Sequence, residues 1–179
     1  ASIKSAMVGG IVMNNASGMC CGVHANSYRV LQAVRIILPD GTILDTGDPK
    51  SRAAFAMSHP KFLRKIEELR DKTRKNATLT ELIRKKYSIK NVTGLTILPF
   101  VEYDDPFDII AHLMVGSEGT LAFLSNITVS TADICPFTAS DLLLFPTTKS
   151  ACEAITEMKR TGMRSAAEFF DRKGREKVQ

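Results

Sequence analysis

The pattern of apolar and polar positions predicts three β-strands within the first 130 residues of the chain. β-Branched and aliphatic residues dominate positions 33–38 and 42–46, and the sequence Pro39-Asp40-Gly41 lies between them. Proline presets φ at the start of a tight turn and glycine accepts a positive φ, so the two runs are predicted to form a β-hairpin. A third β-rich run, from Leu121 to Ser130, predicts a long strand.

Helical periodicity dominates the region between the hairpin and the third strand. Asp48 before Pro49 is typical of a helix N-terminus, and this helix is expected to continue through Met57, where Ser58-His59-Pro60 interrupts it. Gly94 predicts a turn, and a further helix is predicted from Pro106 to Met114.

Two amphipathic helices are predicted within residues 61–90. Thr78 and Glu81 have the spacing of a capping box, which would begin the second of them. Each helix has an apolar stripe at helical spacing. The stripe residues are Phe62, Leu63, Ile66 and Leu69 in the first helix and Leu79, Leu82, Ile83 and Tyr87 in the second.

A different pattern begins after Pro136. An apolar run at 142–145, a helical pattern at 149–160 ended by Gly162, and a β-rich run through Phe169 predict a strand–helix–strand unit. We therefore expect a domain boundary near residue 136.

Composition places the chain among globular proteins. Of its 179 residues, 44% are hydrophobic and 24% are charged, which excludes a disordered chain and fits one domain, or one domain plus a fragment of a second. Its apolar runs are too short to cross a bilayer. No targeting signal is recognisable, and the four cysteines form no CxxC pair. Free thiols and a cytoplasmic location are expected, which leaves open a peripheral association with the inner face of the membrane.

Positive charge is concentrated in the predicted helical pair. Residues 61–90 hold 11 of the 24 lysines and arginines but only 4 of the 19 acids, so this segment carries +7 and the rest of the chain −2. One hypothesis is a non-catalytic basic module that binds acidic partners, nucleic acid or a membrane surface through residues 61–90. Without interleaved aromatic residues or a nucleic-acid-binding motif, a solvated helix face is the simpler interpretation.

Two glycine-rich segments contain the main chemical signal. The first is Val8-Gly-Gly-Ile-Val-Met-Asn-Asn-Ala-Ser-Gly-Met-Cys-Cys-Gly22, and the second is Val115-Gly-Ser-Glu-Gly-Thr-Leu121. Glycines among small polar residues allow backbone N–H groups to approach an anion closely, as in a phosphate-binding loop. Neither segment is a Walker loop or a dinucleotide fingerprint.

Taken together and in this order, these segments resemble the FAD-linked oxidases of the vanillyl-alcohol oxidase and p-cresol methylhydroxylase type. The likeness extends to the hairpin Leu38-Pro-Asp-Gly-Thr-Ile-Leu-Asp-Thr46, to Asn26-Ser-Tyr28, and to the basic insertion before Lys90-Asn-Val-Thr-Gly94. It is closest to the quinone-linked D-lactate and D-2-hydroxyglutarate dehydrogenases. Leu95 departs from the tyrosine that relatives tend to have after this glycine.

The resemblance implies an α+β fold, with a mainly antiparallel sheet flanked by helices. Residues 1–135 would be the second FAD-binding subdomain, with a basic helical insertion at 48–93, and residues 136–179 would begin a βαβ-containing substrate (cap) domain. The first FAD subdomain would precede Ala1, and most catalytic residues would follow Gln179. We expect this chain alone to bind FAD poorly, to lack dehydrogenase activity and to self-associate.

The resemblance also implies a cofactor site and a reaction. FAD would accept a hydride from a small D-2-hydroxy acid and pass the electrons to a quinone or another acceptor. Glycines would admit the cofactor to the backbone, Asn15 and Ser17 would offer polar contacts, and the backbone of Leu124 would bind the adenine edge. The implied cofactor-binding residues are Gly9, Gly10, Asn15, Ser17, Gly18, Gly22, Gly116, Gly119 and Leu124.

The remaining polar residues have simpler interpretations. His112 fits a packed helix histidine, His24 an exposed loop residue and His59 a helix-boundary residue. Glu118 is expected to cap a loop or pair with a cation. Scattered histidines and cysteines predict no metal site.

Overall fold

The structure is a computed structural model that describes residues 4–18, 21–131, 133, 136–162 and 166–170. The chain divides into two units, Ala1–Thr131 and Ala132–Gln179. No helix among the described residues is long and apolar enough to cross a membrane.

The first unit is α+β, as the sequence predicts. In chain order its elements are α1 (Val8–Met13), α2 (Ser27–Val30), β1 (Leu31–Ile37), β2 (Ile43–Asp45), α3 (Pro49–Ser58), α4 (Pro60–Lys75), α5 (Ala77–Tyr87), α6 (Pro99–Glu102), α7 (Pro106–Leu113) and β3 (Phe123–Val129).

The three strands form one antiparallel sheet in the order β2-β1-β3. Ile36 in the central strand lies opposite Leu44 on one side and Leu124 on the other. The predicted hairpin is confirmed, and Gly41 has the expected positive φ of 85°. β1 and β3 are separated by more than 80 residues of mostly helical chain, so this pairing closes the unit.

The hydrophobic core lies between the sheet and the helices. Ile36 and Leu44 on the sheet and Ile109 on α7 are completely buried. Phe55 on α3 contacts Phe107 on α7 edge-to-face, with 6.2 Å between the ring centroids. α7 is therefore held between the sheet and the helical insertion, and this position fixes the loop that follows α7.

The predicted helices are present, with one error at a terminus. Asp48 caps α3 as expected, and its side chain accepts from the Lys50 N–H. The predicted capping box of Thr78 and Glu81 is wrong, because α5 begins two residues earlier. The Asn76 side chain caps it by accepting from the Leu79 N–H. Asparagine is as strong an N-cap as serine or threonine, and the earlier cap adds helical hydrogen bonds.

Three arginines of the helical pair and its neighbour α3 are not simply solvated. Arg74 donates to the carbonyl oxygens of Phe100 at 3.0 Å and Tyr103 at 2.7 Å, and it also pairs with the carboxylate of Asp104. Arg70 donates to the carbonyl of Asp104, and Arg52 of α3 pairs with Asp105. The guanidinium groups therefore hold the α6–α7 connection against the helical insertion, which corrects the expectation of a merely solvated face.

The second unit contains the predicted helix but not the predicted strands. α8 (Thr148–Thr161) begins at Thr147, whose side chain accepts from the Ser150 N–H, and ends at Gly162 with φ of 71°. Residues 142–145 and 166–170 are not β-strands. A strand needs a hydrogen-bonded neighbour, and these two extended runs do not pair among the described residues. The predicted strand–helix–strand unit is therefore wrong for the part that the structure describes.

Candidate functional site

Residues 8–15 of the first glycine-rich segment form a short helix and a turn. Gly9 and Gly10 lie inside α1, which ends where Asn15 adopts a positive φ of 53°. The Ala16 N–H donates to the carbonyl of Ile11 at 2.8 Å and closes the helix end. Asparagine tolerates this left-handed conformation better than most residues, so its position here is locally favourable.

One side of α1 exposes its backbone. A Cβ atom on Gly9 would have the carbonyl oxygen of Leu124 as its nearest neighbour, at 3.9 Å, and a Cβ on Gly10 would meet nothing within 4 Å. The glycines are thus not required by packing within the described residues. They leave an open backbone surface beside Leu124, near the start of β3.

The second glycine-rich segment turns sharply between α7 and β3. Gly116, Glu118 and Gly119 all have positive φ, of 79°, 53° and 75°. A Cβ on Gly116 would lie 2.5 Å from the carbonyl oxygen of Gly94, so only glycine fits there. On Gly119 the nearest atom would be the sulfur of Met13, at 4.0 Å, so this glycine is required by its backbone conformation alone.

The structure brings the two glycine-rich segments together. The Gly116 N–H donates to the carbonyl of Val12 at 3.3 Å, and the Glu118 N–H donates to that of Met13 at 2.9 Å. The Asn14 side chain adds a hydrogen bond of 2.7 Å to the carboxylate of Glu118. The second segment therefore pairs the Met13 carbonyl at the end of α1 and adds a second donor to the Val12 carbonyl, which also accepts from the Asn15 N–H at 2.9 Å. Glu118 has a structural partner, as expected.

A third segment, residues 90–94, joins this pair. The Lys90 ammonium donates to the carbonyl oxygens of Ser17 at 2.8 Å and Gly18 at 3.0 Å, and Gly94 lies against Gly116. In the sequence, this segment stands out only through the family resemblance, and no contact of Lys90 is predicted. No local pattern could have placed it, because these partners are more than 70 residues away along the chain.

Two buried polar groups at this junction lack a hydrogen-bond partner among the described residues. They are the side-chain carbonyl oxygen of Asn15 and the hydroxyl of Ser117, and both residues are less than a tenth exposed. Asn15 also lines a small cavity of about 30 Å³ next to Tyr28 and Thr96. Leaving such groups unpaired is costly, so their placement favours a polar ligand or a bound water at the junction.

The remaining predicted residues lie in the first glycine-rich segment and on β3. The Ser17 hydroxyl lies 2.8 Å from the sulfur of Cys21, whose thiol donates to the Gly18 carbonyl at 2.9 Å. Gly22 has a positive φ of 52°. Leu124 lies on β3, whose outer edge has no partner strand in the described part of the chain.

Tyr28 of α2, Tyr103 directly after α6 and His112 of α7 form a largely buried group of aromatic rings. The Tyr103 hydroxyl is 2.9 Å from Nε2 of His112, and Nδ1 of the same ring is 2.8 Å from the carbonyl of Asp108. A carbonyl can only accept, so Nδ1 carries the proton and Nε2 accepts from the tyrosine. Burial lowers the pKa of His112. Burial, with Glu102 beside it, raises the pKa of Tyr28 far above its ordinary value. His112 is a packed helix histidine, as predicted.

The other histidines are structural or exposed. His59 links α3 to α4, stacks on Phe55 at 4.6 Å and lies 3.0 Å from the carboxylate of Asp40. His24 is exposed in the loop before α2. Among the described residues, no group of histidine, cysteine and acidic side chains could hold a metal ion.

Comparison with known proteins gives one match. Residues 1–47 match the family model described as FAD binding domain. No curated protein and no solved structure matches the chain. The matched residues include α1, the turn at Asn15 and the β1–β2 hairpin. This family is typically found in oxidoreductases, so the match supports a flavin-dependent oxidoreductase. Residues 1–47 are therefore similar in sequence to an FAD-binding domain, and FAD is the cofactor that this match indicates.

Proposed function

We propose that this chain is the second FAD-binding subdomain of an enzyme that oxidises a D-2-hydroxy acid, such as D-lactate, and delivers the electrons to a quinone or another acceptor. Residues 136–179 would begin its substrate-binding (cap) domain. The observation that carries the proposal is the direct packing of α1 against the Gly116–Gly119 turn. Two sequence segments that the resemblance assigns to one cofactor site thus meet in space.

The residues at this junction fit FAD on three counts. Gly10 and Gly18 have open space where a Cβ would be, so a bulky cofactor can approach their backbone. Asn15 and Ser117 offer buried polar atoms without partners among the described residues. The outer edge of β3 offers backbone groups near Leu124, which would suit the hydrogen-bonding edge of an adenine.

The division of labour follows from this arrangement. When bound, FAD supplies the hydride acceptor, and the protein supplies position and electrostatics. Gly9 and Gly10 would admit the pyrophosphate, Gly18 and Gly22 would pass the chain beside the flavin, and the backbone of Leu124 would hydrogen-bond the adenine edge. Gly116 and Gly119 would keep the turn between α7 and β3 tight enough for the two glycine-rich segments to meet. The groups that bind the hydroxy acid and remove its hydroxyl proton would belong to other parts of the enzyme.

Anaerobic reduction of the complete polypeptide that contains this sequence tests the proposal. The purified protein should have the visible absorption spectrum of bound flavin, and D-lactate or D-2-hydroxyglutarate should bleach it. The L-enantiomers serve as matched controls and should leave the spectrum unchanged. A flavin that is present but bleached by neither D-acid would overturn the substrate class, whereas a protein without affinity for FAD would overturn the cofactor site itself.

Titration of the 179-residue chain with FAD separates its own contribution from that of the other expected subdomain. A cofactor held between two subdomains derives affinity from both, so this chain alone should bind FAD weakly. Saturation at low micromolar FAD, followed by flavin fluorescence, would show that this chain builds the site alone.

A further inference from the structure

Lys90 is the only described lysine seen to donate to the backbone of the first glycine-rich segment. Its ammonium contacts the carbonyl oxygens of Ser17 and Gly18 at 2.8 and 3.0 Å. It forms no ion pair with any carboxylate of the described residues. The side chain is thus committed to orienting two peptide groups, and its charge is not cancelled by a neighbouring acid.

This contact determines where the Gly18 N–H points. The peptide bond between Ser17 and Gly18 is planar and trans, so its N–H and C=O point in opposite directions. Because the Ser17 carbonyl points to Lys90, the Gly18 N–H points away from it. That N–H donates to no acceptor among the described residues. It is therefore an oriented donor on an open backbone surface.

The Gly18 carbonyl is held from two directions. It accepts from the Lys90 ammonium and from the Cys21 thiol at 2.9 Å. A thiol is a weak donor, whereas an ammonium makes charge-assisted bonds that are about twice as strong as neutral ones. Lys90 is accordingly the stronger of the two donors that the structure shows on the Gly18 carbonyl.

We propose that Lys90 is a positioning residue for the cofactor: it fixes the Ser17–Gly18 backbone so that the Gly18 N–H is directed toward an acceptor atom of FAD. This inference rests on the proposed function and adds a residue that the family match, which ends at residue 47, does not include. Lys90 also precedes Gly94, which contacts Gly116. One short segment thereby sets the spacing of both glycine-rich segments.

Measuring FAD affinity in Lys90 variants of the complete polypeptide tests this role. Lys90→Met removes the donors and the charge, and we expect the Kd for FAD to rise about tenfold, which is about 1.4 kcal/mol. Lys90→Arg keeps a charged donor and should stay within about threefold of the original protein. Lys85→Met is the matched control, because it removes an exposed lysine of α5 and should leave the Kd unchanged.

The readouts separate positioning from stability. Thermal melting of the FAD-free proteins should give the same midpoint for Lys90→Met and Lys85→Met, since both side chains are exposed. Unchanged FAD affinity in Lys90→Met would overturn the inference while leaving the proposed function intact. So would equal losses in the Met and Arg variants, because the charged donor would then not be the cause. Failure of the unmodified protein to bind FAD would instead overturn the proposed function, and this inference with it.

Discussion

A Cβ atom on residue 116 would lie only 2.5 Å from the carbonyl oxygen of Gly94. Gly116 also has a φ of 79°, which disfavours any other residue. The contact joins the segment after the helical insertion to the turn between α7 and β3. Both the backbone conformation and the packing at this point therefore require glycine.

Replacing this glycine should destabilise the fold more than replacing its neighbour in the same turn. Gly116→Ala meets a backbone atom that cannot move aside easily, so we expect a loss of about 2 kcal/mol or more in the free energy of unfolding. Gly119→Ala has a similar φ but only the flexible Met13 side chain nearby, so its loss should be about 1 kcal/mol. Urea denaturation of both variants provides the measurement, and equal losses would contradict the clash.

Gly10→Ala should change stability and cofactor affinity in opposite directions. Gly10 lies within α1 with open space around its Cβ position. Alanine is favoured over glycine inside a helix by about 0.8–1.0 kcal/mol, so the FAD-free protein should become more stable. If the cofactor approaches this backbone, the added methyl group should raise the Kd for FAD. Fluorescence titration and denaturation of the same variant test both effects, and unchanged affinity would exclude Gly10 from the site.

Local sequence patterns predicted the elements whose ends are fixed by the turn and cap residues located there. The 39–41 turn, Asp48 at the start of α3 and Gly162 at the end of α8 are present as expected, since each is determined by neighbours within a few positions. The Thr78–Glu81 box was displaced by Asn76, a competing cap two residues away. Neighbouring residues compete to cap a helix, and the sequence pattern alone does not rank two good N-cap residues.

Elements that depend on distant contacts could not be predicted. α1 contains two adjacent glycines, which disfavour a helix, yet its last turn is completed by the amides of Gly116 and Glu118. The apolar run at 142–145 has the composition of a strand but pairs with no strand among the described residues. In the candidate site, the glycine-rich segments of the sequence pointed to the glycines, whereas the contacts of Lys90 follow only from the three-dimensional structure.

Arg74 should contribute to stability, unlike most of the basic residues around it. Its guanidinium donates to the backbone carbonyls of Phe100 in α6 and of Tyr103 directly after α6. Arg74→Met should cost about 2 kcal/mol, because two buried or half-buried carbonyls lose a charged donor. Arg74→Lys should recover only part of that, since a lysine lacks the planar fork that reaches both. Lys85→Glu with Lys86→Glu is the control, and urea denaturation should show a change within about 0.5 kcal/mol. A neutral Arg74→Met would restore the interpretation of a solvated basic face.

His112 should make the fold less stable in mild acid. Burial lowers its pKa in the folded protein below the ordinary 6.5, so between that value and the lowered one the unfolded chain binds a proton that the folded chain does not. The free energy of unfolding should therefore fall as the pH drops below about 6.5. Protonation would also convert Nε2 from an acceptor to a donor, so the Tyr103 hydroxyl could no longer donate to it.

His112→Phe isolates this contribution. The variant keeps an aromatic ring in the cluster but cannot titrate, and it should be less stable at pH 7.5 by about 1–3 kcal/mol because the Tyr103 hydroxyl loses its partner. Its stability should nevertheless depend less on pH between about 7.5 and 5. Burial raises the pKa of Asp108, which acts in the opposite direction, but that residue is present in both proteins and its effect largely cancels in the comparison. Urea denaturation at several pH values measures the two slopes. Parallel slopes would mean that the acid sensitivity belongs to other groups and that His112 binds its proton as readily in the folded chain as in the unfolded one.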